Sequence, residues 1–272
     1  MNRFKKIIFF VILLSWFLYL QADARAWWGG SSSWGWDAIG ALIALLIYAI
    51  YEIRRRKMIE KAKKDLEKAL STDSTWNLEE LKRVTENVFF KYQRAWSNKD
   101  LLPVKNLMTK SYFEKANKIL ANRLNKNNKL SFFKSYDSYK YKNILENIQI
   151  HDMTLMSVRD FPWKDWDMFA MEVSASMIDY TIDEETWKFI RSTLRRRKNE
   201  SDKDYEARAK REAEPFKEYY IFIRYNWKWL LNNVKQQFSI VWDIIKLKES
   251  DLIKVLEKER ASDDVNDDVF YN

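Results

Sequence analysis

The chain has 272 residues, with 48 Lys+Arg against 39 Asp+Glu for a formal charge of +9. It has no cysteine, a single histidine (His151) and four glycines, all before residue 41. This composition excludes disulfide frameworks, thiolate metal sites, cysteine nucleophiles and multi-histidine zinc sites, and the residues after 40 contain no glycine from which to build a phosphate-cradling loop.

Arg3, Lys5 and Lys6 precede an uncharged run of 14 residues from Ile7 to Leu20, shorter than the roughly 20 that a membrane-spanning helix needs. Ala22, Ala24 and Ala26 then supply small residues at the spacing of a processing site. Residues 1–26 read as a secretory signal peptide, with an uncleaved first membrane helix as the alternative. The Gly/Ser/Trp segment 27–36 reads as flexible chain whose tryptophans suit a membrane–water boundary. From Trp34 to Ile53 there are 20 residues with charges only at Asp37 and Glu52. They predict a transmembrane helix over 37–53. A buried helix of a soluble protein fits less well, because apolar residues surround this helix on all sides.

The block Arg54, Arg55, Arg56, Lys57 follows at once. Residues 54–70 hold eight basic side chains, these four with Lys61, Lys63, Lys64 and Lys68, against three acidic ones. Residues 21–37 hold one basic and two acidic. Cations next to a span mark the cytoplasmic side, so everything after residue 54 is expected there, at the bacterial inner (cytoplasmic) membrane. Residues 54–76 read as a basic juxtamembrane helix and linker. Its eight cations are candidate ligands for anionic phospholipid headgroups, at about 1 kcal/mol each near the surface; a stop-transfer signal alone accounts for the first four.

Asn77 can cap a helix over 78–97, in which Leu78, Leu81, Val84, Val88, Phe89, Tyr92 and Trp96 recur at helical spacing. Asp100 to Leu107, with Pro103 in the first turn, predicts a short helix. Thr109 can cap another reaching about Leu124, ended by the polar run Asn125–Asn128. The period then changes to that of strands. Residues 143–158 place Ile144, Ile148, Ile150, Met156 and Val158 on one face. Residues 167–181 place Phe169, Met171, Val173, Ala175 and Met177 on one side, with Glu172, Ser174 and Ser176 opposite, the alternation of a half-buried strand. Phe216–Tyr225 and Lys228–Gln236 predict two more strands, joined at Asn226, which tolerates the left-handed conformation. Between the second and third of these strands, 188–214 is dense in both charges and predicts an exposed, partly helical excursion that does not pack. Residues 238–272 predict a C-terminal helix (249–261) and an acidic tail.

Four segments carry a resemblance: Phe90–Trp96 with Asp100-Leu101 and Leu107–Tyr112; Met177–Asp183; Glu218–Arg224; and Trp229–Gln236. Together, over 77–237, they resemble the C-terminal domain of mitochondrial translocase subunit Tim-forty-four and its bacterial relatives. The resemblance implies an α+β cone like that of nuclear transport factor two, with helices packed across a curved antiparallel sheet. It also implies membrane association and a non-enzymatic scaffold role in protein translocation, with a protein partner; the alternatives are a ribosome-docking tether and a pocket enzyme or small-ligand binder of the same fold. The chain lacks the long coiled N-terminal region through which the mitochondrial protein engages its chaperone, so motor recruitment is not implied. Residues 54–272 carry +8 of the total charge, which suits a ribosomal partner.

Neither a cofactor, a metal nor DNA is expected as a ligand. His151 reads as a solvent-facing strand residue. Enzymes of the same fold use a pocket carboxylate as a base, and Asp179 is the candidate here, although it has no evident histidine partner and a strand-end ion pair is the simpler reading. Trp163, Trp166 and Trp227 fall in turns and are candidates for membrane-interface or partner contact; Trp96 and Trp229 sit at core positions.

Overall fold

The computed structural model describes residues 33–129, 141–161 and 167–236. The chain divides into two units, one ending at Glu60 and the other beginning at Lys61. The signal-like residues 1–26, Trp163, Trp166 and the C-terminal segment 238–272 lie outside the described residues.

The first helix, α1, spans Ser33–Thr72 and passes through the basic block without a break, as expected of a segment free of Pro and rich in helix formers. It begins inside the Gly/Ser/Trp segment, four residues before its predicted start at 37. In the first unit, Ile43, Leu45, Ile47 and Tyr48 are exposed. No helix among the described residues is long and apolar enough to cross a membrane. The described uncharged stretch of α1 before the basic block runs only from Gly40 to Tyr51, short of the roughly 20 residues of a span. The helix predicted over 37–53 is thus present, whereas the predicted crossing rests on the sequence run Trp34–Ile53 alone, whose first part lies outside the described side chains.

The second unit is α+β. Ala62, Leu66 and Ala69 of α1 join its core. Helix α2 (Leu78–Ser97) starts where Asn77 accepts hydrogen bonds from the Glu79 and Glu80 backbone N–H groups. It buries Leu81, Val88, Phe89 and Tyr92. A 3₁₀ turn, Leu102–Leu107, leads to α3 (Lys110–Lys129). Thr109 accepts from the Tyr112 N–H at 3.3 Å, the expected cap. Helix α3 runs about five residues past its predicted end: Asn and Lys lower helix propensity only slightly, and no Gly or Pro is there to stop it.

Strands β1 (Tyr141–Arg159), β2 (Met168–Asp183), β3 (Phe189–Ser192), β4 (Glu214–Tyr225) and β5 (Lys228–Lys235) form one antiparallel sheet of order β1-β2-β4-β5, with β3 paired to the far end of β2. β3 continues the lane of β4: β2 pairs with β4 over 168–177 and with β3 over 180–182. Two sequence expectations fail here. Register shifts near Asn147, at 150/152 and at 155/157 break the alternation of β1, since each bulge swaps the side that follows. Leu155 and Val158 therefore enter the main core while Met156 is buried apart from it. In β2 the odd-numbered residues Phe169, Met171, Val173 and Ala175 do face the main core, but Met168, Ala170 and Glu172 on the other side are buried too, so this central strand is not half-exposed.

The charged excursion also packs more than expected. It holds β3 and a short helix, α4 (Asp202–Ala209). Arg208 is nearly buried and makes paired contacts of 2.6 and 2.8 Å with the Glu200 carboxylate. The Tyr205 hydroxyl donates to the carbonyls of Leu194 and Ser192. Ion pairing and one aromatic ring replace the missing apolar residues.

Candidate functional site

Along β4 the even-numbered residues Phe216, Glu218, Tyr220, Phe222 and Arg224 share one side, as a period of two requires. The row is apolar in its middle and carries a charge near each end. Phe89 of α2 packs on it, its ring centroid 6.3 Å from that of Phe216 and 5.7 Å from that of Tyr220. Phe169 stacks on Phe222 at 4.6 Å.

At one end, Glu218 lies in the lining of a half-open cavity of about 370 Å³. Helix α2 contributes Tyr92, Gln93 and Trp96; α3 contributes Tyr112, Lys115 and Ile119, spaced i, i+3, i+7 along one helix face; Asn233 to Gln236 come from the end of β5 and the residue after it. Thr109 fixes α3 against the sheet: its N–H donates to the Leu231 carbonyl at 3.0 Å and its hydroxyl to Asn232 Oδ1 at 2.9 Å. That docking sets Tyr112 opposite Tyr92, hydroxyl to hydroxyl at 3.0 Å.

The Glu218 carboxyl receives neutral donors. Gln93 Nε2 donates to its Oε2 at 2.7 Å and the Tyr220 hydroxyl at 2.9 Å. Gln93 also reaches the Tyr220 oxygen at 3.1 Å. Removal from water pushes the Glu218 carboxyl up; hydrogen bonds from Tyr220, Gln236 and Gln93 offset only part of that. Burial likewise pushes the Tyr112 hydroxyl up to about 12, with the nearby Glu218 charge adding to the shift. At the opening, burial lowers the Lys235 ammonium, and the like charge of Lys115 lowers it further.

At the other end of the row, Arg224 is 2% exposed. Its Nη1 lies 2.7 Å from Asp73 Oδ2 and 3.0 Å from Asp167 Oδ2, and its Nη2 donates to the Thr75 hydroxyl. The guanidinium lies against both the Trp76 and Trp229 rings, at 5.3 and 4.8 Å, and those two rings pack edge to face with centroids 5.0 Å apart. The Asp167 ion pair lacks hydrogen-bond geometry at Oδ2, while its Oδ1 accepts from the Phe161 N–H at 2.9 Å. Burial pushes the Asp73 carboxyl up, but bonds from Arg224 and Thr75 outweigh it and hold the group at about 2. Asp167, where burial dominates, is pushed up to about 6.

The residues singled out from sequence fall elsewhere. Asp179 does not line the cavity; burial pushes its carboxyl up, Glu214 adds to the rise and Arg191 opposes it. The acid in the cavity is Glu218, which alternation within β4 identifies only once its facing helices are known. His151 is exposed, as expected, with Nε2 at 2.8 Å from Ser176 Oγ. Trp96 and Trp229 pack on the core as expected. Trp227 is 67% exposed at the β4–β5 tip. Arg54, Arg56 and Lys57 are exposed and Arg55 is half-buried. In the second unit, Lys61, Lys64 and Lys68 are exposed at i, i+3, i+7, a single helix face, and the exposed Lys63 points off that strip. Among the described residues there is no cluster of three acidic or histidine side chains able to hold a metal. No protein-family model matches the chain, and no curated protein matches its sequence.

Proposed function

We propose that the chain is a membrane-tethered, non-catalytic scaffold, whose folded domain is a cone of the nuclear-transport-factor-two type held at an anionic phospholipid surface for a protein partner. The run Trp34–Ile53 is the tether. The observation that carries this reading is the abrupt change along α1, where exposed apolar side chains from Ile43 to Tyr48 give way to Arg54, Arg55, Arg56 and Lys57. Uncovered Ile and Leu of this kind favour an apolar surround, and a cation block beside them suits headgroups. Lys61, Lys64 and Lys68 extend the cationic character while Ala62, Leu66 and Ala69 beside them anchor the same helix in the domain core. The helices-then-sheet order and the resemblance of 77–237 support a translocation-related scaffold on the cytoplasmic face.

Fractionation of cells tests this. The full chain stays in the membrane pellet after alkaline carbonate washing, and deletion of residues 27–53 releases it. The released form floats with vesicles containing phosphatidylglycerol, and Lys61→Glu, Lys64→Glu and Lys68→Glu together abolish flotation. Carbonate extraction of the full chain would overturn the tether, and unchanged flotation of the triple variant would overturn the cationic strip.

A further inference from the structure

The cavity around Glu218 has a chemistry that tethering does not use. It combines a carboxyl and three amides (Gln93, Asn233, Gln236) with two phenols, an indole and the apolar side chains of Ile119 and Val234. Sites for small molecules combine hydrophobic and aromatic walls with converging polar groups; here Tyr92, Trp96, Tyr112, Ile119 and Val234 form the apolar wall, polar and charged side chains form about half of the lining, and about 370 Å³ falls in the size range of such sites. Two imbalances give the cavity a direction. Near its opening are Lys115, exposed on α3, and Lys235, half-buried on β5; burial lowers the Lys235 ammonium, and repulsion from the like charge of Lys115 lowers it further. An anion between them relieves that repulsion and forms charge-assisted hydrogen bonds. Deeper in, Glu218 is served by neutral donors alone among its hydrogen-bonding neighbours. A carboxyl offers about four acceptor positions when ionised and one donor when protonated, so it can take a further donor from a ligand or give its own proton to one.

We propose that this cavity is a binding site for a small aromatic anion bearing a hydroxyl or amino group at the end opposite its negative charge. The anionic group lies between Lys115 and Lys235, the ring lies against Trp96, Ile119 and Val234, and the polar group reaches Glu218 and Gln93. A fatty acyl chain is the wrong occupant, because it would bury the Glu218 carboxyl and the Gln93 amide against hydrocarbon and forfeit hydrogen bonds that cost about 1–3 kcal/mol each to leave unmade. The tether plays no part in this argument, so either proposal can fail alone.

The test is calorimetric titration of the detergent-solubilised full chain with 4-hydroxybenzoate, 4-aminobenzoate, benzoate, decanoate and inorganic phosphate. Saturable binding of at least one substituted benzoate is expected, about tenfold tighter than benzoate, in line with one hydrogen bond to a charged or strongly polar group. Lys115→Glu with Lys235→Glu abolishes it. Because both lysines are at least partly exposed, that variant should keep the wild-type melting temperature, and Lys115→Ala alone, with a several-fold loss, provides a milder second variant. Glu218→Gln removes the preference for the substituted ring over benzoate. Absence of binding by both substituted benzoates, equal binding of phosphate or decanoate, or full binding by the double lysine variant would each overturn the proposal.

Discussion

The two ends of one strand treat a charged side chain in opposite ways, Arg224 fully buried and Glu218 half-buried beside a cavity. Glu218 and Arg224 sit on the same side of β4, six residues apart, and both face the helical layer. Arg224 has counter-charges and rings around it: Asp73 and Asp167 within 3.0 Å, and the adjoining rings of Trp76 and Trp229 against the guanidinium. Glu218 is surrounded by neutral amides and a phenol, and it borders a void. Burying an ion costs several kcal/mol unless a partner restores what water supplied. The Arg224 end restores it with ions and closes completely, which makes it a staple between the residues after α1 and the sheet. The Glu218 end restores it only partly and stays open, which makes it a place for something else to bind.

The sharpest way to break this contrast is to remove the staple's cation. Arg224→Met leaves Asp73 and Asp167 without their buried partner and is expected to cost about 3–5 kcal/mol, the usual loss when one member of a buried pair is deleted. Urea unfolding followed by circular dichroism measures it. Glu218→Gln, the matching change at the other end, keeps an acceptor for Gln93 and Tyr220 and no longer confines an acid whose charge is poorly solvated. It should shift stability by no more than about 1 kcal/mol at neutral pH. A comparable loss from both variants would mean that both ends are staples.

A pH series separates the groups further. Asp73 is depressed to about 2 in the folded chain from an ordinary 3.8. Its contribution is complete above pH 3.8 and is lost as pH falls toward 2. Asp167 is raised to about 6, so its contribution has the other sign: complete below pH 3.8 and lost as pH rises to about 6. Asp73→Asn should therefore flatten the acid limb of the stability profile, and Asp167→Asn the decline between pH 4 and 6. The Asp73 limb amounts to roughly 1–2 kcal/mol once discounted for its partial solvent contact. An acid limb that survives in Asp73→Asn would show that Arg224 does not hold that carboxyl down.

Much of the fold was legible because periodicity is local. The Asn77 cap, the register of α2 and the odd-numbered face of β2 all follow from spacing. What was missed depends on distant partners. Asp73, Asp167 and Arg224 lie far apart in sequence, and each alone looks like an ordinary surface charge. Trp76, fully buried, sits in a linker with no period to reveal it. Asp179 was singled out because a carboxylate near the end of a regular strand resembles a pocket base. Which strand lines the cavity is decided by where α2 and α3 dock, through Thr109 to Leu231 and Asn232, and that docking leaves no mark in the sequence of β2. The bulges of β1 escape for a similar reason. Only Asn147, at φ 50°, is of a residue type that hints at one.

The smallest expected effect concerns the tip beyond Arg224, where the staple ends and the exposed surface begins. Asn226 and Trp227 both take positive φ, 46° and 64°, the geometry of a two-residue hairpin turn with mirror-image twist. Asparagine tolerates this conformation. Tryptophan tolerates it poorly, and its strain there is of order 1 kcal/mol. A bulky ring that is 67% exposed gains little from packing to offset it. Trp227→Gly relieves the strain but loosens the unfolded chain, and the two effects should leave folding stability within about 1 kcal/mol of the wild type. If the ring is kept for contact at the membrane surface, the same variant should weaken flotation of the form lacking residues 27–53 with anionic vesicles. Loss of stability beyond about 2 kcal/mol would instead make Trp227 part of the staple, and the boundary between the closed end of the strand and its contact surface would have to move outward by one turn.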